Sequence, residues 1–199
     1  MKRICLYGAS SASLAQEYYA AAHIIGEGLA GAGIGLVFGG GATGLMGAAA
    51  RGADSKGGEI IGVAPKFFDE EGVLYQNCTQ FIFTDTMRER KQIMEDLADG
   101  FIVTPGGIGT LEEFYEIVTL RQLGRHQKPV AILNTKGYYK PVLDMWEQAI
   151  TQGFMTPACR ELFVMSDDPE ALLDMLEQAV SKPSDVYAMK NITRREDTK

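Results

Sequence analysis

Among 199 residues there are three cysteines, two histidines and one tryptophan. Cys5, Cys78 and Cys159 are odd in number, far apart and form no CxxC pair, so they read as reduced thiols and not as a disulfide framework. With only His23 and His126, and no HExxH helix, a structural or catalytic zinc site is not expected, and no metal is assigned. No apolar run approaches the roughly 18 to 20 residues of a membrane helix. The opening "MKRICLYGASS" turns glycine-rich too soon for a signal peptide, so a cytoplasmic location is expected. Positive charge is also short. Nineteen Lys and Arg stand against 26 Asp and Glu, a net charge of −7, which argues against nucleic acid or an anionic membrane as partner. A small phosphorylated ligand needs only a local positive field and stays open.

What the chain does have is alternation. Short apolar runs at 3–7, 35–38, 59–64, 80–84, 100–104, 129–133 and 162–165 read as strands buried on both faces. Amphipathic runs at 13–31, 44–56, 86–98, 110–124, 138–152 and 168–181 read as helices. This order predicts an α/β fold: a doubly wound, mostly parallel, Rossmann-like sheet of about seven strands with helices on both faces. One domain is expected over 1–181. A polar, aperiodic tail follows over 182–199, frayed or resting on a partner.

Three Gly- or Ser-rich loops follow strands: "GASSAS", "GGGATGLMG" and "PGGIGT". In a parallel sheet all three open on one edge, where ligands of such folds bind. Together they predict a site for a phosphorylated ligand. Gly39, Gly41 and Gly44 match G-x-G-x-x-G, but on the second strand, and the acid needed at the end of the next strand is replaced by Ala64, Pro65 and Lys66. That argues against a dinucleotide. "GASSA" misses the nucleophile elbow by one glycine, at Ala12. Ser10 of the first loop and Gly41 of the second are candidate ligand contacts.

The third loop allows two readings. Thr110-x-x-Glu113 fits a capping box, with Glu112 and Glu116 near or on a solvated face. A plain capping box, however, does not need Gly106, Gly107 and Gly109. Upstream, Arg90 shares a helix stripe with Ile93, Met94 and Leu97. It must snorkel, pair with an acid or meet a ligand; Lys91 can join it, and Arg88 faces solvent.

With "PGGIGTLEE", "VFGGGATGLMG", "MRERK" and "QLGRHQKPVAILNTKGYY" in view, the chain resembles the LONELY GUY family over about residues 3 to 180. These are cytokinin riboside 5′-monophosphate phosphoribohydrolases, long labelled lysine decarboxylases. The resemblance implies hydrolysis of the N-glycosidic bond of a nucleoside 5′-monophosphate, AMP or an N6-substituted AMP, to free base and ribose 5-phosphate. It implies Arg90 and Glu113 as the catalytic pair. It implies nucleotide contacts from Arg90, Lys91, Gly106, Gly107, Ile108, Gly109, Thr110, Leu111, Glu112 and Thr119. Glu71 is the match for a further acid, in a stretch, "FFDEEGVLYQNC", that departs from the family in length and sequence. No metal or organic cofactor is implied. A homodimer is, with the signature helix and its Leu111, Phe114, Tyr115, Val118 and Leu123 near the interface. The alternative is a non-catalytic nucleotide or nucleotide-cofactor carrier of the same fold, which could dispense with Arg90 or Glu113.

Overall fold

A computed structural model describes residues 1–179 and 185–190. Seven strands form one sheet in the order β4-β3-β2-β1-β5-β6-β7, and every neighbouring pair is parallel. They are β1 (Arg3–Tyr7), β2 (Gly35–Phe38), β3 (Ile60–Pro65), β4 (Gln80–Thr84), β5 (Gly100–Val103), β6 (Val130–Leu133) and β7 (Val164–Ser166). The helices are α1 (Gln16–Gly31), α2 (Gly44–Ser55), α3 (Met87–Leu97), α4 (Ile108–Gln122), α5 (Lys140–Thr151), α6 (Pro169–Ala179) and α7 (Val186–Lys190).

The near-continuous apolar runs are strands covered on both faces. Successive side chains alternate between the two faces, so Cys5 and Tyr7 join Val103, Met94 and Phe114 in one core, under α3, α4 and α5. Ile4 and Leu6 join Ile25, Ala49 and Leu172 in the other, under α1, α2 and α6. The two edge strands are the exceptions: Phe83 of β4 is exposed, and β7 is half-buried along its length. The last strand starts two residues later than its apolar run suggests, because Pro157–Leu162 coils into a 3-10 turn that directs Leu162 into the core. Within the stretch read as a tail, α7 buries Met189 beside Cys159 and Leu162, and Thr156 Oγ1 donates to the Met189 carbonyl (3.2 Å). The rest of that stretch lies outside the described residues.

The chain moves outward from β1 through β2, β3 and β4, then returns to place β5 on the other side of β1. After β1 it passes to α1 on one face, and after β5 to α4 on the other. The two connections therefore part above adjacent strands. That switch point is where a doubly wound sheet opens a crevice, and the first and third loops flank it.

Candidate active site

Three loops meet over the crevice because their backbones are bonded to one another. The Ala9 amide donates to the Pro105 carbonyl (3.1 Å) and the Leu45 amide to the Ala9 carbonyl (2.8 Å). Thr43 Oγ1 donates to the Ser10 carbonyl (2.7 Å). Gly44 holds φ +63°, a left-handed conformation that glycine adopts at no steric cost, and a Cβ there would strike the Ala9 carbonyl at 2.1 Å. Ser10 is exposed beside this junction and Gly41 is half-buried.

The capping-box reading of Thr110 and Glu113 is corrected by the third loop. Gly107, extended at φ −88° and ψ −154°, is the N-cap, so α4 starts at Ile108 and not at Thr110. Thr110 is buried in the first turn. Glu113 lies six residues beyond the cap and points instead at Arg90. Capping by Thr and Glu occurs at α3: Thr86 Oγ1 accepts from the Glu89 amide (3.1 Å) and Glu89 accepts from the Asp85 amide (2.9 Å). At α4, Gly107 has no side chain to cap with, so the amides of Ile108, Gly109 and Thr110 open the helix without intrahelical partners. A Cβ built on Gly107 or on Gly109 would meet nothing within 4 Å, and neither residue has positive φ. Neither backbone conformation nor packing requires glycine at these two positions. What their absent side chains leave is bare backbone at a helix N-terminus, the arrangement that receives an anion.

Behind this cradle the loop is fixed by two tyrosines. The Tyr138 hydroxyl donates to the Gly106 carbonyl (2.6 Å) and the Tyr139 hydroxyl to the Thr104 carbonyl (2.8 Å). In a trans peptide the C=O and the next N–H point opposite ways. Anchoring the Gly106 carbonyl therefore turns the Gly107 amide to the other side. Sequence reasoning missed this role, although "GYY" stood in view.

Arg90, in the first turn of α3, is 6% exposed and Glu113 8%. Arg90 Nη1 donates to Glu113 Oε1 (3.0 Å) and Nε to the Val63 carbonyl (3.1 Å). Arg90 thus pairs with an acid of the third-loop helix, and the pair is buried at the edge of the site. Burial pushes the Glu113 carboxyl above the ordinary glutamate range, while Arg90 opposes that rise. Lys91 pairs with Glu112 and with Glu116 (2.7 Å). Burial pulls its ammonium down, but the two carboxylates outweigh that and hold its pKa up. Leu111 is half-buried. Thr119 is exposed one turn past Glu116, on the face that carries Glu112. Glu71 is exposed beside the second loop, in an open groove of about 750 Å³ lined also by Ala42, Arg51 and Tyr75. It makes no hydrogen bond to Arg90 or Glu113. Among the described residues no group of three or more His, Cys, Asp or Glu could hold a metal.

Of the apolar residues singled out from the sequence, Phe114 and Val118 are buried in the core and Leu111 packs against it, so that surplus shrinks to Tyr115 on α4 and Leu123 at its C-cap, 37% and 45% exposed; Ile108, at the start of the helix, is 89% exposed.

Residues 46–176 match the family model described as "Possible lysine decarboxylase". A probable cytokinin riboside 5′-monophosphate phosphoribohydrolase of Oryza sativa subsp. japonica is 37% identical over 189 residues, 95% of this chain and 77% of that protein. A cytokinin riboside 5′-monophosphate phosphoribohydrolase of Arabidopsis thaliana is 37% identical over 190 residues, 96% of this chain and 89% of that one. Among solved structures, a molybdenum cofactor binding protein from Rippkaea orientalis shares the fold. Its TM-score is 0.67 at 21% identity, covering 90% of this chain and 98% of that chain. By its family model and by its identity to these plant proteins, the chain belongs to the LONELY GUY family, the cytokinin riboside 5′-monophosphate phosphoribohydrolases.

Proposed function

We propose that this protein hydrolyses the N-glycosidic bond of a nucleoside 5′-monophosphate, AMP or an N6-substituted AMP, releasing the base and ribose 5-phosphate. The observation that carries this reading is a buried arginine–glutamate pair placed just along the helix from an uncapped, glycine-bared N-terminus. The amides of Ile108, Gly109 and Thr110, with the positive end of the α4 dipole, receive the 5′-phosphate. Glu113 sits four residues beyond Gly109, about 6 Å further along the axis. A ribose bridges that span, which sets the carboxylate near C1′ and away from the phosphate.

Bond cleavage passes through an oxocarbenium-like state at C1′. Glu113, ionised, stabilises that charge and takes a proton from the attacking water. The water oxygen bonds to C1′, the C1′–N9 bond breaks, and its electron pair leaves with the base, which takes up a proton. The raised pKa of Glu113 makes it a stronger base near neutrality than an exposed glutamate. Arg90 orients Glu113 and contacts the ribose hydroxyls or phosphate. Lys91, Glu112 and Thr119 line the same approach, with Leu111 packed behind it; Ser10, Gly41 and Glu71 contact the nucleotide from the first- and second-loop side. A carrier of the same fold would need no carboxylate at C1′.

The test is incubation with a panel of 5′-mononucleotides and chromatography of the released base. Release of base from nucleotides supports the reading. Nucleotide bound and returned intact would favour the carrier, and cleavage of free nucleosides alone would remove the phosphate role of the third loop. For the Tyr138 anchor, Tyr138→Phe removes one hydrogen bond, typically a net ~1 kcal/mol, and is expected to raise KM for nucleotide roughly five-fold with a smaller change in kcat.

A homodimer and a cytoplasmic location belong to the same reading. Tyr115 on α4 and Leu123 at its C-cap are exposed apolar side chains that a second copy would cover, away from the exposed Ile108 at the start of the helix. The three cysteines are free thiols, as a reducing compartment requires. Light scattering at micromolar concentration is expected to give about twice the chain mass of 21.7 kDa, and a monomer would end the dimer proposal.

A further inference from the structure

The "GGG" run at 39–41 follows β2 directly, and its glycines have separate reasons to be glycine. Gly40 holds φ +79°, and a Cβ there would also enter the Phe81 ring at 2.6 Å. On Gly41 a Cβ would meet only the Met46 methyl, at 3.1 Å. Gly39 is different from both. Its φ is not positive, so alanine carries no backbone strain there. Its Cβ, however, would stand 2.0 Å from Arg90 Nη2 and 3.1 Å from Cζ, with Met46 Sδ next at 3.2 Å.

A long side chain normally yields to such a contact by rotating its far end. Arg90 cannot do so freely. Nε is held by the Val63 carbonyl, Nη1 by Glu113, and the side chain is enclosed. A guanidinium is planar and rigid, so Nη2 cannot retreat without tilting Nε and Nη1 off their acceptors. The space left by the missing Gly39 side chain is therefore part of the ion pair's geometry. In glycine-rich loops a bare backbone is usually the place where phosphate approaches. At Gly39 the group that approaches is the protein's own arginine.

We propose that Gly39 is a positioning residue for the reaction: its missing side chain is the slot that seats the Arg90 guanidinium edge and so fixes Glu113 against the reacting sugar carbon. This rests on the reading of Arg90 and Glu113 as the catalytic pair. Glu113 is faced by Arg90 and Lys91 of α3, by Glu112 of its own helix, and by Cys5 and Tyr7 of β1. Burial pushes the Cys5 and Tyr7 groups up, so both are neutral. Arg90 is the opposite charge bonded directly to Glu113. Displacing it lets burial raise the Glu113 carboxyl further.

The test is a double-mutant cycle of Gly39→Ala with Arg90→Lys, assayed on AMP. Lysine lacks the atoms that a Cβ at position 39 would strike. Gly39→Ala alone is expected to lower kcat by roughly 10²-fold, the scale of a 1 Å misplacement, with a smaller rise in KM, since the α4 amides still hold the phosphate while the Arg90 contact to substrate is weakened. Added to Arg90→Lys it is expected to lower kcat by less than about two-fold. A role confined to the folding of the loop predicts equal losses in both backgrounds, and that result would overturn the proposal. If Gly39→Ala alone fails to fold, Arg90→Lys must restore folding, and failure to restore it also overturns the proposal. The carboxyl carbon shift of Glu113, followed with pH by NMR, reads the positioning without reference to turnover. Its midpoint is expected to move up in Gly39→Ala and to stay in place when Gly39→Ala is added to Arg90→Lys. Should Arg90→Lys and Glu113→Gln both keep full turnover while this midpoint still moves, the catalytic reading fails and the slot stands. Should both lose turnover while Gly39→Ala moves neither kcat nor the midpoint, the slot fails and the catalytic reading stands.

Discussion

Glu113→Gln is expected to lower turnover of AMP by about 10² to 10⁴-fold per folded molecule, the scale on which a positioned general base acts. Glutamine keeps the shape and can still accept from Arg90 Nη1, but it loses both the proton acceptor and the negative charge beside C1′. Binding of AMP is expected to persist, because the α4 amides hold the phosphate. The sequence alone suggests that this variant leaves the fold nearly untouched, since a lost capping contact costs only about 1 kcal/mol. The structure changes that expectation. Glu113 is the partner of a buried arginine, and removing one member of such a pair typically costs about 3 to 5 kcal/mol, part of which the retained hydrogen bond returns. A lower melting temperature is therefore expected together with the loss of turnover. The stability difference also has a sign in pH. The Glu113 pKa is raised on folding, so the folded state binds its proton more tightly than the unfolded state does. Its contribution is fully present below the unfolded pKa, about 4.3, and is lost as pH rises through the folded value. Glutamine does not titrate, so the wild type should lose ground to Glu113→Gln on the Glu113 account across that window. Chemical denaturation at several pH values checks the trend. A purely structural pair predicts the stability loss with turnover per folded molecule nearly unchanged.

Strand positions were legible in the sequence because strands covered on both faces must be apolar throughout. β2 and β5 run uninterrupted as "GLVF" and "GFIV", and glycine, proline or polar clusters mark their ends. Strand order was not legible. Nothing local in "GFIVT" says that it returns to pair with β1; that pairing depends on how α3 and α4 pack on the face opposite α1 and α2. The same distinction holds at the site. Glycine density announced a bare backbone, and the stripe position of Arg90 announced that it needed a partner. The spacing alone did not say which acid it would find, because Glu112, Glu113 and Glu116 lie within about one turn; only the family resemblance named Glu113. A shift of the helix start from Thr110 to Ile108 decided how the signature acids are used. The Thr-x-x-Glu pattern occurs at both 86–89 and 110–113, and only tertiary pairing separates a cap from an ion pair. The Tyr138 anchor and the Gly39 slot are long-range contacts, which no window of sequence contains.

Adenosine is expected to be a far poorer substrate than AMP, and one glycine of the cradle supplies a test that stability cannot imitate. Hydrogen bonds to a charged group are each worth about 1.5 to 3 kcal/mol. Three amides at the start of α4 therefore place a difference of roughly 10³-fold or more in kcat/KM on the phosphate. Since the phosphate is remote from the bond that breaks, part of this energy can hold the sugar in reacting geometry, so the loss should reach kcat as well as KM. Gly109 shows what the cradle costs. It is the second residue of α4, its φ is not positive, and space is open around its missing side chain. Glycine in a helix is about 1 kcal/mol worse than alanine, so by packing and propensity alone alanine belongs there. Gly109→Ala is expected to raise the melting temperature of the unliganded protein, while weakening AMP binding by setting a methyl group where phosphate must meet backbone. Calorimetric titration with AMP and a thermal melt on the same preparation read both. Stability and affinity rising together, or adenosine turned over as well as AMP, would remove the phosphate from the third loop.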